Sequence, residues 1–145
     1  MTFDFLFNVS LAGVMATYGL LVIANWAYRL GLPRLDFAKA MAALTYGPSF
    51  DGEPPYWAGQ LVIYFNGVML ALIYATVVAE HLPGIPLVKG IIWGVVLYSI
   101  SCVFFVPLYL REGFFLWHID KKAWITSGMA HGVWGLVVGW LSPIA

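Results

Sequence analysis

Four stretches of about 20 apolar residues, none with a charge near its middle, constrain this chain more than any other feature. They run over residues 5–28, 57–80, 87–110 and 123–141. A hydrocarbon core of about 30 Å needs a helix of that length. The sequence is 62% hydrophobic and only 10% charged, against roughly 45–50% and about 25% in an ordinary soluble domain. A water-soluble fold of this size would leave much of that apolar surface wet. The expected fold is therefore all-α, an integral membrane four-helix bundle forming a single transmembrane domain over residues 1–145.

Connections follow from the punctuation between the stretches. Pro83-Gly84-Ile85-Pro86 breaks the helix between the second and third spans. So tight a turn predicts that these two helices are antiparallel neighbours. Between the first and second spans, Asp36 is placed to cap a short helix that ends at Gly47. Phe37, Ala40, Met41 and Leu44 give it one apolar face. That pattern fits a short interfacial helix, or a connector packed on the bundle. Asp51-Gly52-Glu53-Pro54-Pro55 reads as a polar turn, with too few oxygen ligands for a hard cation.

Basic residues set the expected orientation. Arg29, Arg34, Lys39, Arg111, Lys121 and Lys122 are six of the seven, and all fall on one side of the predicted membrane. Lys89 alone falls on the other. The first side should be cytoplasmic, which puts both termini outside. Trp26, Tyr28, Tyr56, Trp57, Tyr109 and Trp124 cluster at the same boundary, where amphipathic rings settle. The start, Met1-Thr2-Phe3-Asp4, has no positive segment, so the first apolar run reads as a permanent helix rather than a cleaved signal.

Lipid gives no hydrophobic drive between helices, so close contact depends on small residues. Gly90 and Gly94 in the third span, and Gly128, Gly132, Gly135 and Gly139 in the fourth, have the spacing of contact seams. Ala12 with Ala16 and Gly13 with Thr17 offer a weaker version in the first. The runs from Gly90 to Val96 and from Gly132 to Val138 echo one another, as a repeat or by chance in so narrow a composition.

Polar groups within a bilayer are costly and should face protein or water. Counting from the cytoplasmic ends puts Tyr18, Asn66, Ser99, Ser101, Cys102 and His131 in one layer, at about 1.5 Å of depth per residue. His131 is the candidate for cofactor binding, because an imidazole ligates metals and makes two different hydrogen bonds. Its small neighbours Ala130 and Gly132 leave room for a haem or chlorophyll, and a quinone contact is a further possibility. The competing expectation is a histidine bonded to a neighbouring helix. His81 and His118 lie at other depths, which disfavours a bis-histidine haem within one chain. His118-Ile119-Asp120-Lys121-Lys122 reads as a solvated loop at the headgroups, or as a docking patch for a partner.

Several function classes find no support. No basic stripe exists to meet nucleic acid. The single cysteine, Cys102, forms no internal disulfide. No carboxylate or lysine occupies a span centre, no Gly/Pro break of the transporter type is evident, and no catalytic motif or metal-binding set is present.

Three segments together carry a resemblance. They are Gly31-Leu32-Pro33-Arg34-Leu35-Asp36, then Gly67 followed by Ile73-Tyr74-Ala75, and the ending from Ala130 to Gly139. The chain resembles a family of small four-helix bacterial inner-membrane proteins with no established activity. That resemblance implies a multi-pass protein of the bacterial inner membrane. The expected role is a non-catalytic accessory subunit of a larger membrane complex, with an energy-converting complex as one candidate and other membrane subunits as partners. Two alternatives stand beside it: a small homo-oligomeric channel or transporter, and a subunit that contacts haem, chlorophyll or quinone.

Overall fold

Small residues decide where the helices of this chain approach one another. The computed structural model describes residues 2–145 and contains no strand among them. Helix α1 spans Phe3–Trp26 and continues as a 3-10 turn, Ala27–Leu30. Thr2 caps it by accepting a hydrogen bond from the Phe5 amide. Helix α2 spans Phe37–Tyr46. Asp36 caps its start by accepting from the Lys39 amide at 2.9 Å, and Gly47 ends it at φ 78°. A glycine suits that left-handed φ because it has no Cβ. Helix α3 spans Tyr56–Ile73 and runs on through a π turn, Tyr74–Val78, and a 3-10 turn, Ala79–His81. Helix α4 spans Pro86–Ile100 and continues as a π segment, Ser101–Leu110. Helix α5 spans Ala123–Leu141.

Three helical segments are long and apolar enough to cross a membrane: Phe3–Leu30, Tyr56–His81 and Pro86–Leu110. Helix α5 has 19 residues, but its four glycines, three tryptophans and His131 dilute its apolar content below that measure. The burial pattern suits a lipid solvent. Small residues such as Ala12, Ala16 and Ala24 are fully inside, while Leu61 and Phe65 are 63% and 69% exposed.

The long helices sit in the spatial order α3, α1, α5, α4. The closest seam joins α4 to α5. A Cβ added at Gly94 would lie 2.6 Å from the His131 carbonyl, and one at Gly139 would lie 2.7 Å from the Pro86 carbonyl. Gly90 and Gly135 are crowded in the same way by the facing backbone. Gly128 and Gly132 stand outside the seam. Gly128 meets only the Tyr98 ring at ordinary distance, and Gly132 has nothing within 4 Å. A second seam joins α1 to α3, where a Cβ added at Gly13 would lie 2.9 Å from Val68 Cα and Gly67 receives the Thr17 side chain. Helix α2 lies against α3, with Ala38 and Ala42 buried and Ala38 packed on Gly59. Lys39 pairs with Glu53 at 3.0 Å, tying α2 to the polar turn. That hydrogen bond and charge raise the Lys39 pKa above its ordinary value.

The tight turn does not make α3 and α4 neighbours along their length. Their backbones approach one another mainly beside the turn. There Tyr74 donates its hydroxyl to the Pro86 carbonyl at 3.2 Å, and Lys89 Nζ donates to the Ala79 carbonyl at 2.7 Å. Away from the turn, α3 follows α1 and α4 follows α5. A short loop fixes the distance between helix ends, but small-residue faces fix which helix each one packs on. The third span stays helical through Pro107, which lies inside it. Proline removes a backbone donor and crowds the preceding turn, and α4 is wound as a π-helix there.

The seam gives a direct prediction. Gly135→Ala puts a methyl group 2.9 Å from Gly94 Cα and should destabilise the fold by about 1–3 kcal/mol. Gly132→Ala enters open space and should change stability by no more than about 0.5 kcal/mol. Reversible unfolding in mixed micelles measures both, and equal effects would contradict this packing.

Candidate functional site: a polar cleft between α3 and α4

The parting of α3 and α4 leaves a cleft of about 260 Å³. Its floor is α1 and α5, through Thr17, Leu20, His131 and Trp134. One wall is α3, with Ile63, Asn66, Gly67 and Leu70, and the other is α4, with Leu97, Ile100, Ser101 and Phe105. Phe37 and Met41 of α2, one helical turn apart, close the end away from the Pro-Gly turn.

Of the six residues predicted in one polar layer, Asn66, Ser101 and His131 line this cleft. The other three do not. Tyr18 is 59% exposed and belongs to a separate groove between α1 and α3, beside Asn25, Arg34 and Tyr64. Ser99 faces outward and donates to the Val95 carbonyl at 2.9 Å. Cys102 is fully buried behind the cleft, its Sγ 3.8 Å from Ser127 Oγ. Equal depth put all six in one layer, but a helix turns about 100° per residue, so Ser99 and Ser101 point to different sides.

Two aromatic rings neighbour His131. Phe37 lies edge-on with centroids 6.2 Å apart, and Tyr98 is tilted at 6.0 Å. His131 Nδ1 lies 2.8 Å from the Ser127 carbonyl, one turn earlier in α5, and 3.4 Å from Ser127 Oγ. Among the described residues, the one fully buried side-chain polar atom without a partner is Trp93 Nε1. Among the described residues His131 Nε2 has no hydrogen-bonding partner either, and His131 is one of the side chains that line the cleft. Asn66 and Ser101 likewise bond to no other side chain. Three polar side chains from three helices thus line one largely apolar cleft, the exposed Asn66 and the half-buried Ser101 without a side-chain partner and His131 with only Nδ1 engaged.

Below them the floor is fixed by Thr17. Its hydroxyl donates to the Gly13 carbonyl at 2.8 Å and accepts from Trp134 Nε1 at 3.3 Å. In the sequence Thr17 stands out only for its small size. Its spacing from Gly13 was visible, but nothing in sequence pairs it with Trp134, 117 residues away. Elsewhere, Glu53 is engaged by Lys39, and no cluster of three metal-ligating side chains occurs among the described residues.

Thr17→Val would leave the buried Trp134 N–H without an acceptor. The expected loss is about 1–3 kcal/mol of stability, with Thr17→Ser recovering most of it. Unfolding in mixed micelles tests the pair, and a Thr17→Val protein as stable as the native one would count against the Thr17–Trp134 link.

Comparison of the chain with models of known protein families, with curated proteins and with solved structures finds no match.

Proposed function

We propose that this chain is a four-span protein of the bacterial inner membrane, with both termini outside and α2 at the cytoplasmic interface. In this reading it serves as a non-catalytic subunit of a larger membrane assembly and takes a small lipid-soluble ligand into the α3/α4 cleft. The presence of Asn66, Ser101 and His131 along one cleft, the first two without a side-chain partner and His131 with only Nδ1 engaged, carries the reading. Unpaired polar groups at membrane depth are costly, and a few convergent polar groups in an apolar pocket are the usual form of a ligand site.

Volume narrows the ligand. Small-molecule pockets run from about 300 to 1,000 Å³, and a dry cavity of about 150 Å³ takes a benzene ring. At about 260 Å³ the cleft holds one substituted ring. A haem or chlorophyll macrocycle would need α3 and α4 to spread further. Of the cofactors considered for His131, a quinone-type head group therefore fits best. The parted helices leave its hydrophobic tail a way out into lipid. The wide apolar outer faces, with Val95, Phe104 and Leu108 of α4 all exposed, offer contact area for other subunits.

Gentle purification in native-membrane nanodiscs, followed by solvent extraction and mass spectrometry, tests this function. The expected result is about one ring-bearing, lipid-soluble molecule per chain, lost when Asn66 and His131 are both replaced by leucine. Bulk phospholipid alone, in the same amount from both proteins, would rule it out. A lone homo-oligomer that conducts solute in liposomes, with conduction lost in His131→Ala, would favour the channel alternative.

A further inference from the structure

We infer that the cleft selects a ligand whose ring donates a hydrogen bond: a single-ring hydroxylated amphiphile of the quinol class, bound through its hydroxyl to His131 Nε2. This inference rests on the cleft being a ligand site.

The argument begins at Ser127. A carbonyl oxygen only accepts hydrogen bonds. With Nδ1 2.8 Å from the Ser127 carbonyl, the proton of the neutral imidazole belongs on Nδ1. The partner of one ring nitrogen decides the state of the other, so Nε2 carries a bare lone pair. An imidazolium would reverse this, but no carboxylate lines the cleft to pair with the charge, and an unpaired charge in such a place is costly. The bond to Ser127 is made within one turn of α5 to a backbone atom, so a ligand cannot invert the tautomer without breaking it. The flanking rings of Phe37 and Tyr98 restrict rotation of the imidazole.

Nε2 is therefore an acceptor presented to an apolar space. A ring hydroxyl satisfies it. A ring carbonyl sets one lone pair against another and leaves both unpaired. Asn66 offers both a donor and an acceptor, and Ser101 can turn its hydroxyl either way. Those two adapt to the rest of the ligand, while His131 alone discriminates. A site built to bond a hydroxyl rejects an analogue that lacks it far more strongly than an apolar pocket rejects a methylene.

The test uses the full chain in nanodiscs and three probes: a decyl-substituted hydroquinone, the matching benzoquinone and the hydroquinone's dimethyl ether. Equilibrium dialysis under argon gives the affinities. The unaltered protein should bind the hydroquinone at least tenfold more tightly than either other probe. His131→Gln should reduce that preference to within about threefold, because a carboxamide can turn either face to the ligand. Quinone binding as tight as, or tighter than, hydroquinone binding would overturn the inference and leave the cleft standing as a ligand site. Failure of all three probes to bind the unaltered protein would remove the cleft reading itself. A full tenfold preference retained in His131→Gln would place the selectivity elsewhere and also overturn the inference.

Discussion

The close approach of backbones at glycine is the constraint on which the rest of this structure depends. In lipid, helices gain little from hiding apolar side chains from one another, so contact area at short range decides which faces meet. Gly90 and Gly94 let α4 sit directly on Gly135 and Gly139 of α5, and Gly13 and Gly67 do the same for α1 and α3. These seams bind the long helices as two pairs. Contacts between α1 and α5, including the Trp134–Thr17 hydrogen bond, join the pairs. What remains is the gap between α3 and α4, pinned at one end by the Pro-Gly turn and closed at the other by Phe37 and Met41. The cleft is thus a consequence of where the small residues lie.

The same arrangement explains why a polar site can exist at this depth. Each polar group in a span needs a partner, and most have one close by. Thr17, Thr76 and Ser99 return their hydroxyls to the carbonyl four residues earlier. His131 does so with only one of its two nitrogens. Its other nitrogen has no partner among the described residues, and Asn66 and Ser101 bond to no other side chain. The π-helical segment of α4 begins at Ser101, within the cleft wall. Widened turns of this kind often occur at functional sites.

Much of this was legible in the sequence, and the limits have physical causes. Apolar length marked the long helices, and Asp36 with Gly47 marked both ends of α2, because caps are local chemistry. The spacing of Gly90 with Gly94 and of Gly135 with Gly139 marked faces for close contact, but it marked Gly128 with Gly132 equally and did not say which helices would pair. Relative height along the helices was also readable, since each residue advances a helix by a fixed rise. Rotation about the helix axis was not, and it separates Asn66, Ser101 and His131 from Tyr18, Ser99 and Cys102. The shortness of the Pro83–Pro86 turn suggested a neighbour relation that the small-residue faces override. Pro107 was plain in the sequence, but its outcome as a π-helix rather than a break depends on the packing around it.

The central claim is that the floor of the cleft presents a hydrogen-bond acceptor fixed by the Ser127 carbonyl. Nitrogen-15 NMR of the histidine-labelled protein in bilayers tests it most directly, with His81→Gln and His118→Gln leaving His131 as the single reporter. The account predicts a neutral ring with its proton on Nδ1 and none on Nε2. A proton on Nε2, or a doubly protonated ring at neutral pH, would contradict it.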